Sequence, residues 1–166
     1  VKGVPGRFER IDAGQDFTVV VDFAHTPEAL DRMLHTARRI TAGRLITVFG
    51  CGGRRDSQKR AAMGAVVGRY SDFAIISNDN PRTEDPQTIA RQAHEGVMES
   101  GLRPNKVQIL LDRRRAIEEA LHLAQPGDTV VIAGRGHEKQ QDLGAETIPF
   151  DDREVARRHL REMTGK

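Results

Sequence analysis

A short stretch in the middle of the chain, Asp79-Asn80-Pro81-Arg82, combines an anion, an amide and a cation within one turn. Pro81 fixes its own φ angle and biases Asn80 toward extended backbone. The Asp79 carboxylate can accept hydrogen bonds from an ammonium group, and the planar guanidinium of Arg82 can bind a carboxylate through two donors. These residue types predict a loop that binds both ends of a zwitterion.

The position of this loop supports that interpretation. It follows the apolar run Phe73 to Ile76, which has the composition of a buried strand in a parallel sheet. Ligands of such sheets bind outside the carboxyl ends of the strands. A plainer alternative is an ordinary strand-to-helix turn in which Thr83 or Asp85 caps the next helix.

Three further loops carry polar residues or glycines directly after predicted strands: Asp22 to Thr26, Gly50 to Arg55, and Gly134 to Glu138. Glycines in such loops let backbone amides approach an anion. If the strands are parallel, all four loops meet at one edge of the sheet and form one ligand site.

Each of these loops also has a plainer explanation when taken alone. Asp22 would cap a helix, His25 would be a solvated turn residue, and Arg54 and Arg55 would be surface charges. The glycine loop does not complete the Gly-x-Gly-x-x-Gly fingerprint of dinucleotide binding, because position 55 is arginine. The sequence also contains no Gly-x-x-x-x-Gly-Lys-Ser/Thr pattern of a phosphate-binding loop.

Metal and thiol chemistry have little support in the sequence. His137 and Glu138 are adjacent, but two residues make a poor metal signature. The other histidines outside the first loop fall on predicted helices without ligand spacing, so no zinc site is predicted; they are His35, His94, His122 and His159. Cys51 has no evident catalytic partners and is predicted to be a buried small residue.

Length and composition favour one soluble α/β domain. The chain has 166 residues, of which 37% are hydrophobic and 30% charged, with one Tyr, six Phe and no Trp, so the core must depend on aliphatic side chains. A net charge of only +2 does not indicate a nucleic-acid partner. The absence of a long apolar run or of a signal-peptide core near Val1 to Pro5 predicts a cytoplasmic protein without a membrane partner.

Alternating strand and helix patterns predict a doubly wound, mostly parallel, Rossmann-like sheet with helices on both faces. The predicted strands are Phe17 to Phe23, Leu45 to Phe49, Asp72 to Ser77, Val107 to Leu111 and Thr129 to Ala133. The predicted helices begin at Pro27, near Ser57, near Pro86, after Leu111 and at Asp151, and the first buries Leu30, Met33, Leu34, Ala37 and Ile40. Val4 to Ile11 is interpreted as a linker, and Glu146 to Phe150 as a short added strand.

Taken together, the motifs closely resemble the C-terminal domain of the Mur ligase family, in the branch that adds meso-diaminopimelate. The matching residues are Gly6-Arg7-Phe8-Glu9, Asp22 to Pro27, Phe49 to Gly53 with Arg55-Asp56 and Lys59-Arg60, Asp79 to Arg82, Gly134 to Glu138, and Asp151-Asp152-Arg153. The family usually carries Tyr where this chain has Phe23. Six ordered matches are far more specific than any one of them.

The resemblance implies the third domain of an ATP-dependent amide ligase of peptidoglycan precursor synthesis. In that family ATP and Mg²⁺ activate UDP-N-acetylmuramoyl-L-alanyl-D-glutamate as an acyl phosphate, and the amine of diaminopimelate attacks it. The P-loop and the magnesium ligands belong to a central domain, so this chain alone is expected to be inactive. Residues 1–6 would be the hinge from that domain, and 7–166 the amino-acid-binding domain.

The resemblance also assigns roles to individual residues. Arg55 and Arg82 would hold the distal carboxylate of meso-diaminopimelate, and Asp79 and Glu138 would hold its ammonium group. Asn80, Pro81 and Gly134 complete that pocket, while Arg7, Asp22 and His25 would face the nucleotide. Two rival hypotheses from the same fold are a nucleotide-dependent oxidoreductase and a non-enzymatic doubly wound binding module.

Overall fold

The computed structural model describes residues 3–165; Val1, Lys2 and Lys166, which fall in the predicted hinge and domain end, lie outside the described residues. The strands are β1 (Glu9–Arg10), β2 (Thr18–Asp22), β3 (Leu45–Phe49), β4 (Phe73–Ile76), β5 (Val107–Ile109), β6 (Thr129–Ala133), β7 (Gln140–Asp142) and β8 (Thr147–Pro149). The helices are α1 (Pro27–Ile40), α2 (Gln58–Tyr70), α3 (Pro86–Glu99), α4 (Arg113–Leu123) and α5 (Asp152–Thr164), with a short 3₁₀ turn at Pro104–Lys106.

Six strands form the main sheet in the order β1-β2-β6-β3-β4-β5. All pairs are parallel except β1 with β2, which is antiparallel. Every residue of the central strands β3 and β6 is buried, as expected when a parallel sheet is covered on both faces. The predicted mostly parallel α/β architecture is confirmed.

The helices cover both faces of this sheet. Successive residues of β6 alternate between two cores: Val131 and Ala133 pack with the apolar side chains of α1, α2 and α3, whereas Val130 and Ile132 pack with those of α4 and α5. The predicted doubly wound arrangement therefore follows from strand alternation and from the apolar stripe of each helix.

Four of the helices are preceded by a polar residue whose side chain caps the first turn, and these helices start within one residue of the predicted positions. The Thr26 hydroxyl accepts a hydrogen bond from the Ala29 amide, and Asp85 and Asp151 cap α3 and α5 in the same way, as Asp112 caps α4. The plainer alternative for the central loop named Thr83 or Asp85 as the cap of the next helix, and Asp85 is that cap. One core prediction is wrong: Ile40 is 45% exposed, because it lies in the last turn of α1.

Two short segments differ from the sequence interpretation. The prediction of a linker over Val4 to Ile11 is wrong for Glu9 and Arg10, which form β1 and pair with Val21 and Val20. The strand predicted between Glu146 and Phe150 is present as β8, but it pairs with the unpredicted β7 in a separate hairpin.

The parallel strands bring the four polar loops to one edge of the sheet. β2, β3, β4 and β6 all end there, and the loops that follow them contain the predicted site residues except Arg7, which precedes β1, and Asp22, which is the last residue of β2. Across residues 3–165, no helix is long and apolar enough to cross a membrane.

Candidate functional site

A cavity of about 510 Å³ lies at the carboxyl edge of the sheet, between the four loops. Six of the residues assigned to the amino acid line it, together with His25 from the nucleotide set. The full lining is Phe23, His25, Thr26, Gly50, Cys51, Gly52, Arg55, Asp56, Lys59, Arg60, Met63, Asp79, Asn80, Arg82, Gly134 and Glu138. A larger groove of about 690 Å³ runs along α5, but charged side chains of that one helix line most of it and none of the four loops reaches it.

The loop after β3 and the loop after β4 are joined directly. The Gly53 amide donates to the Asn80 carbonyl at 2.8 Å, and Arg82 Nη1 donates to the Gly53 carbonyl at 2.9 Å. A Cβ atom on Gly53 would lie 1.8 Å from the Pro81 carbonyl oxygen, so only glycine allows this approach. Pro81 therefore shapes the loop from behind and does not line the cavity.

Arg82 combines a strained backbone with a side chain directed into the cavity. Its φ angle is 55°, a value that residues other than glycine rarely adopt, and Arg54 in the neighbouring loop has the same value. Backbone strain of this kind persists where surrounding contacts hold it, and it concentrates at functional sites. The Arg82 amide is held by the Asp142 carbonyl at 3.1 Å, so the β7–β8 hairpin fixes this residue from the other side.

Asn80 connects the cavity to the same hairpin. Its Nδ2 donates to Glu138 Oε2 at 3.3 Å, and its Oδ1 accepts from the Asp142 amide at 2.8 Å. Glu138, which comes from the loop after β6, is thereby oriented beside the loop after β4. Asn80 is a positioning group as well as part of the cavity wall.

Asp79 supplies a buried carboxylate at the base of the cavity. The Asp79 side chain is only 7% exposed, and burial raises the pKa of this carboxyl even though Arg113 and Arg135 oppose the shift. Gly134 lies against it, with a φ angle of 115° and no room for a Cβ atom, which would be 2.7 Å from Asp79 Oδ2. A cationic ligand group would compensate the buried charge of Asp79.

A fully buried ion cluster supports this base. Arg113 donates to both carboxylate oxygens of Asp152 at 2.8 Å, and to the carbonyls of Asn78 and Ala133 at 3.0 Å. Arg135 donates to the same aspartate at 3.2 Å. Arg113 thus ties the end of β4 to the end of β6, and sequence reasoning missed it because no local pattern links residues this far apart.

Arg55 is more exposed than Arg82, the other arginine predicted to bind the carboxylate. Its side chain is exposed and lines the cavity, and no hydrogen bond or ion pair involves its guanidinium among residues 3–165. The guanidinium donors of Arg55 are therefore free to bind an anion. Lys59 and Arg60 also line the cavity, and sequence reasoning gave neither of them a role.

The residues assigned to the nucleotide form a neighbouring group. Phe23 stacks edge-on against His25, with ring centroids 4.5 Å apart, and the Arg7 guanidinium lies 4.9 Å above the Phe23 ring. Asp22 lies deeper: its carboxylate accepts from the amides of Phe8 at 2.7 Å and Ala24 at 2.8 Å. Arg7 and Asp22 lie outside the cavity lining, and their assigned contacts remain predictions.

The predicted burial of Cys51 is confirmed. The side chain is 5% exposed and its sulfur lies 3.8 Å from the Met63 sulfur. Burial raises the pKa of the thiol to about 12, with the charge of Asp79 adding to the effect and Arg60 opposing it. The neutral thiol is a wall of the cavity and a poor nucleophile near neutral pH.

The part of the chain that the structure describes contains no assembled metal-binding site. No group of three or more His, Cys, Asp or Glu side chains there is arranged to hold an ion. His122 and His159 face each other across α4 and α5, with their Nε2 atoms 2.9 Å apart, and form a hydrogen-bonded pair remote from the cavity.

Comparison with known proteins identifies relatives for the whole chain. Residues 6–136 match the family described as Mur ligase, glutamate ligase domain. The UDP-N-acetylmuramoyl-L-alanyl-D-glutamate--2,6-diaminopimelate ligase of Syntrophomonas wolfei is 50% identical over 161 residues, which are 97% of this chain and 32% of that protein. The ligase of the same name from Thermosynechococcus vestitus is 51% identical over 163 residues.

Solved structures agree with these sequence matches. A structure of a ligase of the same name superposes with a TM-score of 0.89 at 39% identity, over 99% of this chain and 33% of that chain. The folylpolyglutamate synthase of Mycobacterium tuberculosis, complexed with ADP and AMPPCP, superposes with a TM-score of 0.62 at 21% identity, which shows a shared fold. The chain spans about a third of the length of these relatives.

Proposed function

Because this chain belongs to the Mur ligase family, we propose that it is the amino-acid-binding domain of a cytoplasmic, ATP-dependent ligase that joins meso-diaminopimelate to UDP-N-acetylmuramoyl-L-alanyl-D-glutamate. The observation that carries the proposal is the cavity in which Arg55, Asp79, Arg82 and Glu138 meet. These two arginines and two carboxylates, among the charged residues of the lining, suit an amino acid that carries both charges at its distal end.

The two arginines would bind the distal carboxylate. Among residues 3–165, Arg55 has all its guanidinium donors available, and Arg82 uses only Nη1, for its bonds to Gly53 and Asn80. Hydrogen bonds to charged groups contribute about 1.5–3 kcal/mol each, so losing one arginine would weaken binding by roughly tenfold to a hundredfold.

The two carboxylates would bind the distal ammonium group. Asp79 is buried and, among residues 3–165, forms no ion pair within 4.0 Å, while Glu138 accepts only the long bond from Asn80 and a distant contact from Arg135 at 4.0 Å. An ammonium group between Asp79 and Glu138 would offset the repulsion between these anions.

The same charges would exclude lysine. Lysine has an ammonium group but no carboxylate at its distal end, so it leaves Arg55 and Arg82 without a partner. Selectivity then arises from unpaired arginines and from repulsion between like charges.

The nucleotide would bind at the surface next to the amino-acid cavity. Phe23, His25 and Arg7 form an accessible aromatic and cationic surface that suits an adenosine and its phosphates. Asp22 already accepts two backbone amides, so a ribose hydroxyl would have to share an oxygen with one of them. We assign ATP and Mg²⁺ mainly to the central domain that the family layout places before this one, since no acidic cluster in residues 3–165 suits the ion.

In this proposal the domain presents the diaminopimelate amine to an acyl phosphate formed elsewhere in the protein. Closure of residues 7–166 about the hinge at 1–6 would exclude water, which otherwise hydrolyses that intermediate. The chain alone would bind the amino acid and leave ATP intact.

The test is a ligation assay with the intact protein. ATP, UDP-N-acetylmuramoyl-L-alanyl-D-glutamate and meso-diaminopimelate should give the tripeptide product and one phosphate per product, while L-lysine should give far less. Absence of ligation, or equal use of both amino acids, would contradict the proposal. A parallel calorimetric titration with NAD should show no binding; tight NAD binding would favour an oxidoreductase.

A further inference from the structure

Arg60 is a buried arginine next to the cavity whose hydrogen bonds go to protein groups. It is only 2% exposed, and Nη1 and Nη2 both donate to the Glu84 carboxylate, at 2.6 and 2.8 Å. Nη1 also donates to Gln92 Oε1 at 2.8 Å, and Nη2 donates to the Gly52 carbonyl at 3.1 Å. One side chain of α2 thereby holds the loop after β3, the loop after β4, and α3.

Glu84 completes the connection from the opposite loop. Its Oε1 accepts from the Arg54 amide at 2.9 Å, and its own amide donates to the Pro81 carbonyl at 3.1 Å. The two bonds from Arg60 and the bond from the Arg54 amide hold the pKa of Glu84 down at about 2, so the carboxylate is charged throughout the physiological range.

The Arg60–Glu84 pair acts on both loops at residues adjacent to the proposed ligand arginines. Arg54 and Gly52 are anchored on either side of the Gly53 contact, and Arg55 follows directly. Glu84 lies two residues after Arg82. Arg54 and Arg82 are also the two strained residues of these loops, with φ angles of 55°, so the pair restrains the backbone where it departs most from its relaxed form.

The pair does not have the features expected of a purely stabilising contact. Arg60 Nε is buried and has no hydrogen-bond partner within the described part of the chain. The Arg60 guanidinium is buried while Glu84 is 27% exposed, so desolvation of the guanidinium offsets part of the attraction in this pair. An apolar replacement of a buried ion pair is often equally stable. Holding two loops at a fixed spacing is a role that an apolar contact would perform less well.

We propose that Arg60, through Glu84, is a positioning residue that sets the spacing between Arg55 and Arg82 and so determines selectivity for an amino acid with a distal carboxylate. The inference rests on the proposed function, because it concerns the same cavity. Although Arg60 is one of the residues that line the cavity, its Nη1 and Nη2 atoms donate to protein groups, and it does not take part in bond formation.

Steady-state kinetics of the intact ligase with Arg60→Lys and Glu84→Gln test this inference. Lysine keeps the charge of Arg60 but cannot reproduce its planar set of donors. We expect the KM for meso-diaminopimelate to rise about tenfold, with kcat and the KM for ATP changing by less than about twofold. The kcat/KM with L-lysine should stay unchanged, so that selectivity falls by the same factor.

Arg44→Lys is the matched control. Arg44 also forms a hydrogen-bonded ion pair, with Asp128 at 3.0 Å and a further bond to the Leu123 carbonyl at 2.6 Å, but at the opposite end of the sheet. This variant should leave selectivity unchanged.

The possible outcomes distinguish failure of the proposed function from failure of the role proposed for Arg60. A wild-type protein that does not prefer meso-diaminopimelate would refute the proposed function itself. A selective wild-type protein with unchanged selectivity in both variants would refute only the role of Arg60. Variants that lose activity with all substrates alike, or that unfold, would show a general structural role and would also overturn the inference.

Discussion

At the residue scale, the candidate site depends on a few positions where the backbone approaches another loop too closely for a side chain. Gly53 lies against the Pro81 carbonyl, whereas a Cβ atom on the adjacent Gly52 would meet only flexible side chains, Arg82 Nη1 at 3.1 Å and Arg55 Cγ at 3.2 Å. The two glycines therefore differ in what a methyl group would displace.

This difference gives a matched pair of variants. Gly53→Ala must push the two loops apart and should lower the free energy of unfolding by about 1–3 kcal/mol, as overpacking does. Gly52→Ala should change it by less than about 0.5 kcal/mol. Urea denaturation followed by circular dichroism measures both, and equal effects would contradict the close approach of Gly53 to Pro81.

At the element scale, the long elements were predictable, whereas two of the short strands, β1 and β7, were not. The strands Leu45–Phe49 and Thr129–Ala133 occur at the predicted residues, because their continuous apolar runs match a sheet that is buried on both faces. Glu9–Arg10 and Gln140–Asp142 are two and three residues long and mostly polar, so their pairing depends on neighbours that sequence alone does not identify. The convergence of the four loops followed from the parallel sheet itself.

Pairs of side chains that connect different elements could not be predicted from the sequence. Arg113 and Asp152 are 39 positions apart, and Arg60 and Glu84 are 24 apart, with no periodic pattern that connects them. Their pairing is a consequence of how helices and loops meet in space. These contacts hold the predicted residues in place. The motif residues were therefore identifiable from the sequence, whereas the pairing of the side chains that support them was not.

The Arg60–Glu84 connection between elements should have a characteristic pH dependence. The folded-state pKa of Glu84 is about 2, below the ordinary value of about 4.3, so the unfolded chain binds more protons between these values. The stabilisation is complete above about pH 5 and is lost as the pH falls toward 2.

Comparison of Glu84→Gln with wild type at several pH values measures this contribution. The difference in unfolding free energy should be constant above about pH 5 and shrink below it. Glu95→Gln is the control, since Glu95 is exposed on α3 and forms no ion pair among the described residues. A difference that does not vary with pH would contradict the charged Arg60–Glu84 contact.

At the scale of the whole molecule, the two ends of the sheet have different roles. One end is held by ordinary structural ties such as Arg44 with Asp128. At the other end lie the three non-glycine residues of the described part of the chain with positive φ angles, Phe8, Arg54 and Arg82, together with the buried charges of Asp79, Arg113, Arg135 and Asp152. Such a distribution is typical of an α/β protein that binds its ligand at the strand ends, with the rest of the sheet providing stability.

The assignment of this cavity to the amino acid is tested most directly by the steady-state kinetics of Arg82→Ala in the intact ligase. If Arg82 binds the distal carboxylate, the KM for meso-diaminopimelate should rise by at least about tenfold, while the KM for ATP changes by less than about twofold. A similar increase in both constants, or none in the first, would contradict the assignment of this cavity to the amino acid.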